Sequence, residues 1–276
     1  MNIAIQGYPG SFHHEAVQQY FGKTAGVTPC ASFRTLVDKV GNDHTIDAGL
    51  MAIENSIAGS ILPNYSLLFN SGLLICGEVY LSVRQQLMAH KGVALSEIKE
   101  VHSHYMALLQ CNRYLEQCPW KLVETEDTAL SARKIKDQGL KHIAAIAGKT
   151  AAELYQLDII ASDIQDQENN YTRFLILKRE ATPAPDADKA SISFRLEHKT
   201  GSLAKVLNVI AAEGLNISKL QSFPVPDIEF QYYFILDLEF EEIRQLRQVL
   251  ASIKTHTHTL TIKGIYKKSI WKLQQD

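Results

Sequence analysis

Hydrophobic and polar positions over the first 178 residues follow two rhythms, short β-rich runs and longer stretches with helical spacing. Asn2–Gln6 reads as a strand that breaks at Gly7, and Phe12–Phe21 as a helix that ends at Gly22. Gly49–Glu54, Leu73–Val79 and Gln86–Ala89 have the character of further strands, Tyr105–Leu115 and Thr128–Gln138 of helices. Ile143–Ile146 and Ile159–Ser162 read as short strands flanking a helix Thr150–Tyr155, and Phe174–Leu177 as a buried strand. Such alternation predicts an α/β domain over residues 2–178, built on a parallel sheet.

The rhythm stops at Arg179-Glu180-Ala181-Thr182-Pro183-Ala184-Pro185-Asp186-Ala187-Asp188, where two prolines and no apolar face predict an extended linker over 179–190. From 191 to 270 a second pattern takes over. Ser191–Glu197 alternates as a strand, and Gly201–Glu213 is helical with Leu203, Val206, Leu207 and Ile210 on one side. Asn216–Val225 and Glu229–Glu239 read as strands, Glu241–Ile253 as a helix and Thr257–Ile265 as a last strand. The order βαββαβ is the ferredoxin-like unit. Small open-edged sheets of this kind pair with a second copy, so a homodimer or homotetramer is expected.

Composition narrows the classes without choosing one. The 276 residues are 46% hydrophobic and 21% charged, as in a globular protein with a sizeable core. A formal charge of −2 gives no reason to expect nucleic acid or an anionic membrane as partner. Met1–Gln6 reaches a glycine turn too soon for a signal peptide, and no apolar run approaches the roughly 18 residues of a membrane span. Cys30, Cys76, Cys111 and Cys118 lack zinc spacing and any CxxC pair, which predicts reduced thiols and the cytoplasm. His13-His14, His102/His104 and His256/His258 come without HExxH or a cysteine partner, and no metal is expected. His256 and His258 fit a surface strand.

Four polar segments could carry chemistry. Gly7-Tyr8-Pro9-Gly10-Ser11-Phe12 joins a strand to a helix, where free N–H groups attract an anion, though a plain turn capped by Ser11 fits as well. Glu54-Asn55-Ser56, ahead of Gly59, ends a strand, the place where open α/β sheets bind ligands; a helix start capped by Asn55 or Ser56 is the alternative. Ser103-His104 and Gln110-Cys111 stand seven residues apart at a helix start, with Ser103 as a cap and Gln110 solvated as the bland reading. Asn169-Asn170-Tyr171-Thr172-Arg173-Phe174 puts a hydroxyl, a guanidinium and a ring in succession where a buried strand begins. No GxGxxG or Walker pattern is present, so no nucleotide or other cofactor is expected.

In this order the segments resemble the prephenate dehydratase family with its C-terminal ACT domain. The likeness rests on Gly7-x-x-Gly10-Ser11-Phe12, Glu54-Asn55-Ser56 with Gly59 and Leu67-Leu68, Ser103-His104 with Gln110-Cys111, and Thr172-Arg173-Phe174. It covers nearly the whole chain, and four motifs in register are specific where each alone is weak. It implies a two-lobed, periplasmic-binding-protein-like α/β catalytic domain with a cleft, then a ferredoxin-like βαββαβ ACT domain. The implied reaction converts prephenate to phenylpyruvate, water and carbon dioxide in phenylalanine biosynthesis, without a cofactor.

The same resemblance assigns roles. Thr172 becomes a positioned donor to the departing ring hydroxyl, with Asn55, Ser103, Gln110 and Glu54 as catalytic neighbours. Ser11, Phe12, Ser56, Arg173 and Phe174 become substrate-binding. Gly201-Ser202-Leu203 and Gln221-Ser222-Phe223-Pro224 become an allosteric site for L-phenylalanine. The chain departs from the family at Ala52, often proline, at Ser66, often aspartate, and at His13, usually a small hydroxyl residue. Gln221 and Phe223 replace the glutamate and arginine of a glutamate-serine-arginine-proline segment, so phenylalanine control is expected to be weakened, retuned or carried by other groups. Arogenate dehydratase, the same chemistry on the aminated substrate, and a non-catalytic amino-acid sensor are the competing functions.

Overall fold

The computed structural model describes residues 1–225 and 231–269. The start of the strand expected from Glu229 and the end of the second domain at Ile270 lie outside the described residues. The chain forms two compact units, one of Met1–Asn64 and Val79–Phe174, the other of Tyr65–Glu78 and Leu175 onward.

The chain begins β1 (Asn2–Gln6), α1 (Phe12–Phe21), β2 (Gly26–Cys30), α2 (Phe33–Asn42), β3 (Ala48–Asn55) and β4 (Gly59–Ser60). It continues through α3 (Leu62–Phe69), β5 (Leu74–Ser82), β6 (Gln86–Ala89), β7 (Glu100–His104), α4 (Tyr105–Gln110) and α5 (Asn112–Leu115). Then come β8 (Lys121–Thr125), α6 (Thr128–Gln138), β9 (Ile143–Ala147), α7 (Lys149–Tyr155), β10 (Asp158–Ala161) and β11 (Tyr171–Lys178).

The catalytic part has two sheets, as the two-lobed expectation requires, and both are mixed where the pattern alone suggested parallel strands. The first runs β2-β1-β3-β11-β5, with β1 parallel to both β2 and β3 and the short β4 antiparallel on β3. The second runs β10-β6-β9-β7-β8, where β6 is antiparallel to both of its neighbours and β7 parallel to both of its own. Its faces follow the two-residue period of a strand. Leu87, Ala144 and Ile146 enter one core, while Met88, Ala145 and Ala147 enter another against α6 and α7.

One expected helix differs in detail, and four elements were not expected. The helix expected over Tyr105–Leu115 breaks at Cys111 (φ −117°, ψ 20°). Asp166 explains the break: its backbone N–H donates to the Gln110 carbonyl at 2.7 Å, and its carboxylate accepts from Arg113 N at 3.1 Å. β2 and α2, which the pattern alone leaves unassigned, lie between the first helix and β3. β2 contains Pro29, tolerated because the strand sits at a sheet edge. β7 and β8 are equally quiet in sequence, since β8 is another edge and one of the two fully buried residues of β7 is Ser103.

The C-terminal part comprises β12 (Lys189–Arg195), α8 (Ser202–Ala212), β13 (Asn216–Pro224), β14 (Tyr232–Glu239), α9 (Ile243–Lys254) and β15 (Thr259–Tyr266). This is the expected βαββαβ order, folded as an antiparallel sheet β13-β14-β12-β15. β12 starts at Lys189, inside the stretch expected to be linker, because Ala190 belongs to the core and Lys189 to a buried ion pair. His256 and His258 precede β15 in a turn, so they do not share a strand face as expected.

One face of this sheet packs Ile192, Phe194, Leu236 and Leu238 against Val206 and Ile210 of α8 and Leu246, Val249 and Ile253 of α9. Each such side chain contributes roughly 1.5–3 kcal/mol on burial. The opposite face accounts for residues 65–78 belonging to this unit. Lys189 Nζ donates to both carboxylate oxygens of Glu78 at 3.1 Å, with side chains 3% and 0% exposed. Gly264 lies so close to Ile75 that a Cβ there would meet its backbone oxygen and Cβ.

Candidate active site

The first unit encloses a cavity of about 320 Å³, inside the ~300–1,000 Å³ range of small-molecule pockets. Its wall is built from strand ends and helix starts of both sheets. Ser11, Phe12, Ala52, Asn55, Thr172 and Phe174 come from the first, and Gln85, His104, Gln110, Glu126, Asp127 and Thr128 from the second.

Asn55 is the hub. Its Nδ2 donates to Thr172 Oγ1 at 3.0 Å, to Asn170 Oδ1 at 2.7 Å and to the Tyr171 carbonyl at 3.2 Å. Its Oδ1 accepts from Ile57 N at 3.0 Å and Ala58 N at 2.9 Å, a tight turn where a helix start was the alternative. Both ends of the amide are thereby committed to protein. Thr172 Oγ1 accepts from Asn55, and the threonine is part of the cavity wall.

The α1 side is shaped by Gly7 and Gly10, both at positive φ (89° and 90°). A side chain at Gly10 would also press on Ala151 and Tyr155 of α7 at 3.2 Å. Ser11 is the expected cap, its Oγ accepting from His14 N at 3.5 Å. Phe174 and Thr172 share one face of β11, two residues apart, and both line the cavity.

The other expected residues lie elsewhere. Arg173 is 4% exposed and, by strand alternation, sits on the face of β11 away from Thr172 and the cavity, which removes it as a direct substrate contact. Glu54 is half-buried on β3 and is not part of the cavity wall. Ser56 fastens two strands: its Oγ donates to the Asn169 carbonyl at 3.1 Å and accepts from Tyr171 N at 2.9 Å. Ser103 neither caps a helix nor reaches the cavity. It is fully buried in β7, with Oγ donating to the Ile146 carbonyl at 2.6 Å. The cap is His104, whose Nδ1 accepts from Met106 N at 3.2 Å and which does line the cavity.

Gln110 lines the wall and accepts at Oε1 from Gln85 Nε2 at 3.1 Å, so it is held rather than solvated. Sequence reasoning missed Gln85, Asn170 and Asp127. Asp127 caps α6 through Leu130 N at 2.9 Å, and burial pushes its carboxyl above the usual range against the pull of those N–H groups and of His104. Its signal was the standard one, an aspartate directly before a helix. Glu126 accepts from Tyr8 O–H at 3.1 Å. Among the described residues, no lysine or arginine belongs to this wall.

In the second unit the expected allosteric residues separate. Gly201 (φ 82°) starts α8, and Ser202 and Leu203 line a small cavity of about 110 Å³. Gln221, Ser222, Phe223 and Pro224 lie on the edge strand β13 and not in that cavity. Phe223 is buried by stacking on Tyr233 at 5.4 Å and by a tilted contact with Tyr65 at 6.0 Å, while Gln221 Nε2 donates to the Ser222 carbonyl.

A cleft of hydrogen-bonding side chains between α/β sheets, in a chain that ends in a ferredoxin-like unit, defines a two-lobed α/β enzyme with an amino-acid-sensing type of domain. Residues 3–182 match the family described as prephenate dehydratase, and residues 190–255 the ACT domain. The chain belongs to the prephenate dehydratase family. It is 35% identical to arogenate dehydratase 2 of Petunia hybrida, over 96% of this chain and 71% of that protein. Among solved structures it resembles a quorum quenching acylase at 29% identity, covering 98% of each chain with a TM-score of 0.87. It also resembles the prephenate dehydratase of Arthrobacter aurescens in complex with L-Phe at 26% identity, covering 97% and 90%, with a TM-score of 0.84.

Proposed function

We propose that this chain converts prephenate to phenylpyruvate, carbon dioxide and water, and that Thr172 acts on the leaving hydroxyl. The observation that carries the reading is the 3.0 Å bond from Asn55 Nδ2 to Thr172 Oγ1. It holds the threonine oxygen in the cavity wall and supports reading its hydroxyl as a donor toward the cavity. As the ring carboxylate leaves as carbon dioxide, its bonding pair enters the ring and expels the hydroxyl at the far carbon. The dianion yields a monoanion, so one proton is consumed.

Thr172 donates to the departing oxygen, and we assign Asp127, a carboxyl of the same wall, as the source of that proton. The cleft's lack of lysine and arginine suits decarboxylation, since a carboxylate facing Phe12 and Phe174 is weakly stabilised before it leaves. Substrate charge is then met by the N–H groups at the start of α1 rather than by Arg173.

The test is phenylpyruvate formation by the purified chain, with Thr172→Ala and Asp127→Asn each lowering kcat by about 10²-fold. Near wild-type turnover in either variant defeats that residue's role. Arogenate is the second reading, favoured by the Petunia relative, and the ratio of kcat/KM on the two substrates decides it. An acylase reading has less support. It needs an activated nucleophile, whereas Ser11 Oγ is committed as a cap and burial pushes the Cys111 thiol up to about 12.

We further propose L-phenylalanine as effector, a homodimer or homotetramer joined through the open β13 edge, and the cytoplasm as compartment. A cavity of about 110 Å³ is too small for an amino acid, so a second copy would have to complete it. The four cysteines are all free, as in a reducing compartment. Molar mass in solution with and without phenylalanine, read beside an inhibition curve, tests the first two together.

A further inference from the structure

His13, the second residue of α1, belongs to the cavity wall. Its ring stands edge-on to Phe174, with centroids 5.0 Å apart, and tilts against Phe33 at 5.6 Å. Its Nε2 is buried and has no hydrogen-bond partner within the protein. Burial lowers its pKa to about 4, so the ring is neutral at physiological pH.

Three readings of such a histidine compete. A core histidine would have closed its polar atom on a backbone or side-chain group, because burying one unpaired is costly. A general base would need a pKa nearer the working pH. The third is a neutral hydrogen-bonder held ready by aromatic walls, and geometry favours it. Phe174, which His13 touches, lies two residues along β11 from Thr172, a separation of about 7 Å on one strand face. His13 therefore stands in the same wall as Thr172, beside the neighbouring residue on that strand face.

We propose that His13 is a substrate-specificity residue, its Nε2–H donating one hydrogen bond to the carboxylate-bearing end of the substrate while Thr172 addresses the hydroxyl end. The proposal rests on the dehydratase reading above. It puts an imidazole where the family resemblance has a small hydroxyl residue. Because the imidazole is uncharged it orients that end of the molecule without holding the departing carboxylate as a cation would. A tenfold weaker binding is the scale expected from losing one such bond to a charged acceptor.

The experiment compares wild-type chain, His13→Leu and His13→Gln in kcat and KM on prephenate and arogenate, with melting temperatures measured without substrate. His13→Leu should raise KM about tenfold or more and change kcat by less than about threefold. His13→Gln, which carries an N–H to nearly the same point, should recover most of the loss. The melting temperature of the leucine variant should stay level or rise, since an unpaired polar atom has been removed. Unchanged KM on both substrates in a folded leucine variant overturns the proposal and leaves His13 a wall residue. If leucine is not accommodated, His13→Phe makes the same comparison by keeping a ring against Phe33 and Phe174. A wild-type chain that turns over neither substrate defeats the dehydratase reading itself, and shows before any variant is made.

Discussion

Both units bury polar side chains, but they treat them differently. In the second unit Lys189 and Glu78 close on each other, and Ser191 Oγ bonds both Asp237 Oδ1 at 2.5 Å and Tyr266 O–H at 2.8 Å. Lys189, Glu78, Asp237 and Ser191 are all at most 2% exposed. In the first unit Asn55 holds Asn170 and Thr172 while Gln85 holds Gln110, and these neutral groups stay open on the cavity side. A closed network of charges fixes one packing arrangement, because each ion would be costly without its partner. An open network of neutral groups is cheaper to bury and keeps donors for a ligand. Closed polar groups therefore mark structure here, and open ones mark function.

That contrast can be broken most forcefully at Lys189. Lys189→Met strands the Glu78 carboxylate in the interior and should cost about 3–5 kcal/mol of stability, with much of it recovered in a double variant that adds Glu78→Leu. Urea melts of the three proteins measure it. A kcat that falls while stability holds would show that the closed network also serves the reaction. Thr172→Ala is the reverse case: the 10²-fold loss in kcat, about 2.7 kcal/mol of barrier, should come with little change in melting temperature. A large drop in melting temperature would move Thr172 into the structural class.

Gly264→Ala should be milder than losing the buried ion. The added methyl meets the Ile75 backbone, and overpacking of this kind costs about 1–3 kcal/mol, a drop of several degrees in melting temperature. An unshifted melting curve would show that β15 and residues 74–78 can part freely. The last comparison is the pH dependence at His13. Its folded pKa of about 4 lies below the ordinary 6.5, so the unfolded chain takes up the proton first. Stability from this group is intact above pH 6.5 and is lost progressively as pH falls toward 4. His13→Leu should flatten the melting-temperature profile over that interval, and an unchanged slope would mean that the ring is accessible to protons when folded.

Much of this was legible from the chain. α1, β1, β6 and α6 fall where spacing and caps put them, because their apolar period and their glycine or aspartate boundaries are local signals. β2, β7 and β8 were not legible, since edge strands need few apolar residues and Ser103 fills an inward position with a hydroxyl. The break at Cys111 was out of reach for another reason: Asp166, which causes it, lies 55 residues downstream in another loop.

The cleft divides in the same way. Sequence alone determined that an asparagine and a threonine with a phenylalanine two residues on stand at strand boundaries, and that a βαββαβ unit follows the linker. These follow from residue types and short-range spacing, which do not depend on what packs against them. Only the tertiary structure decided which motif members face the cavity, turning His104 inward where Ser103 was expected and Arg173 away. The orientation of a side chain depends on strand register and on partners distant in sequence. That is why Asn55 could be named as a candidate from its neighbours, while its grip on Thr172, 117 residues away, appears only in the fold.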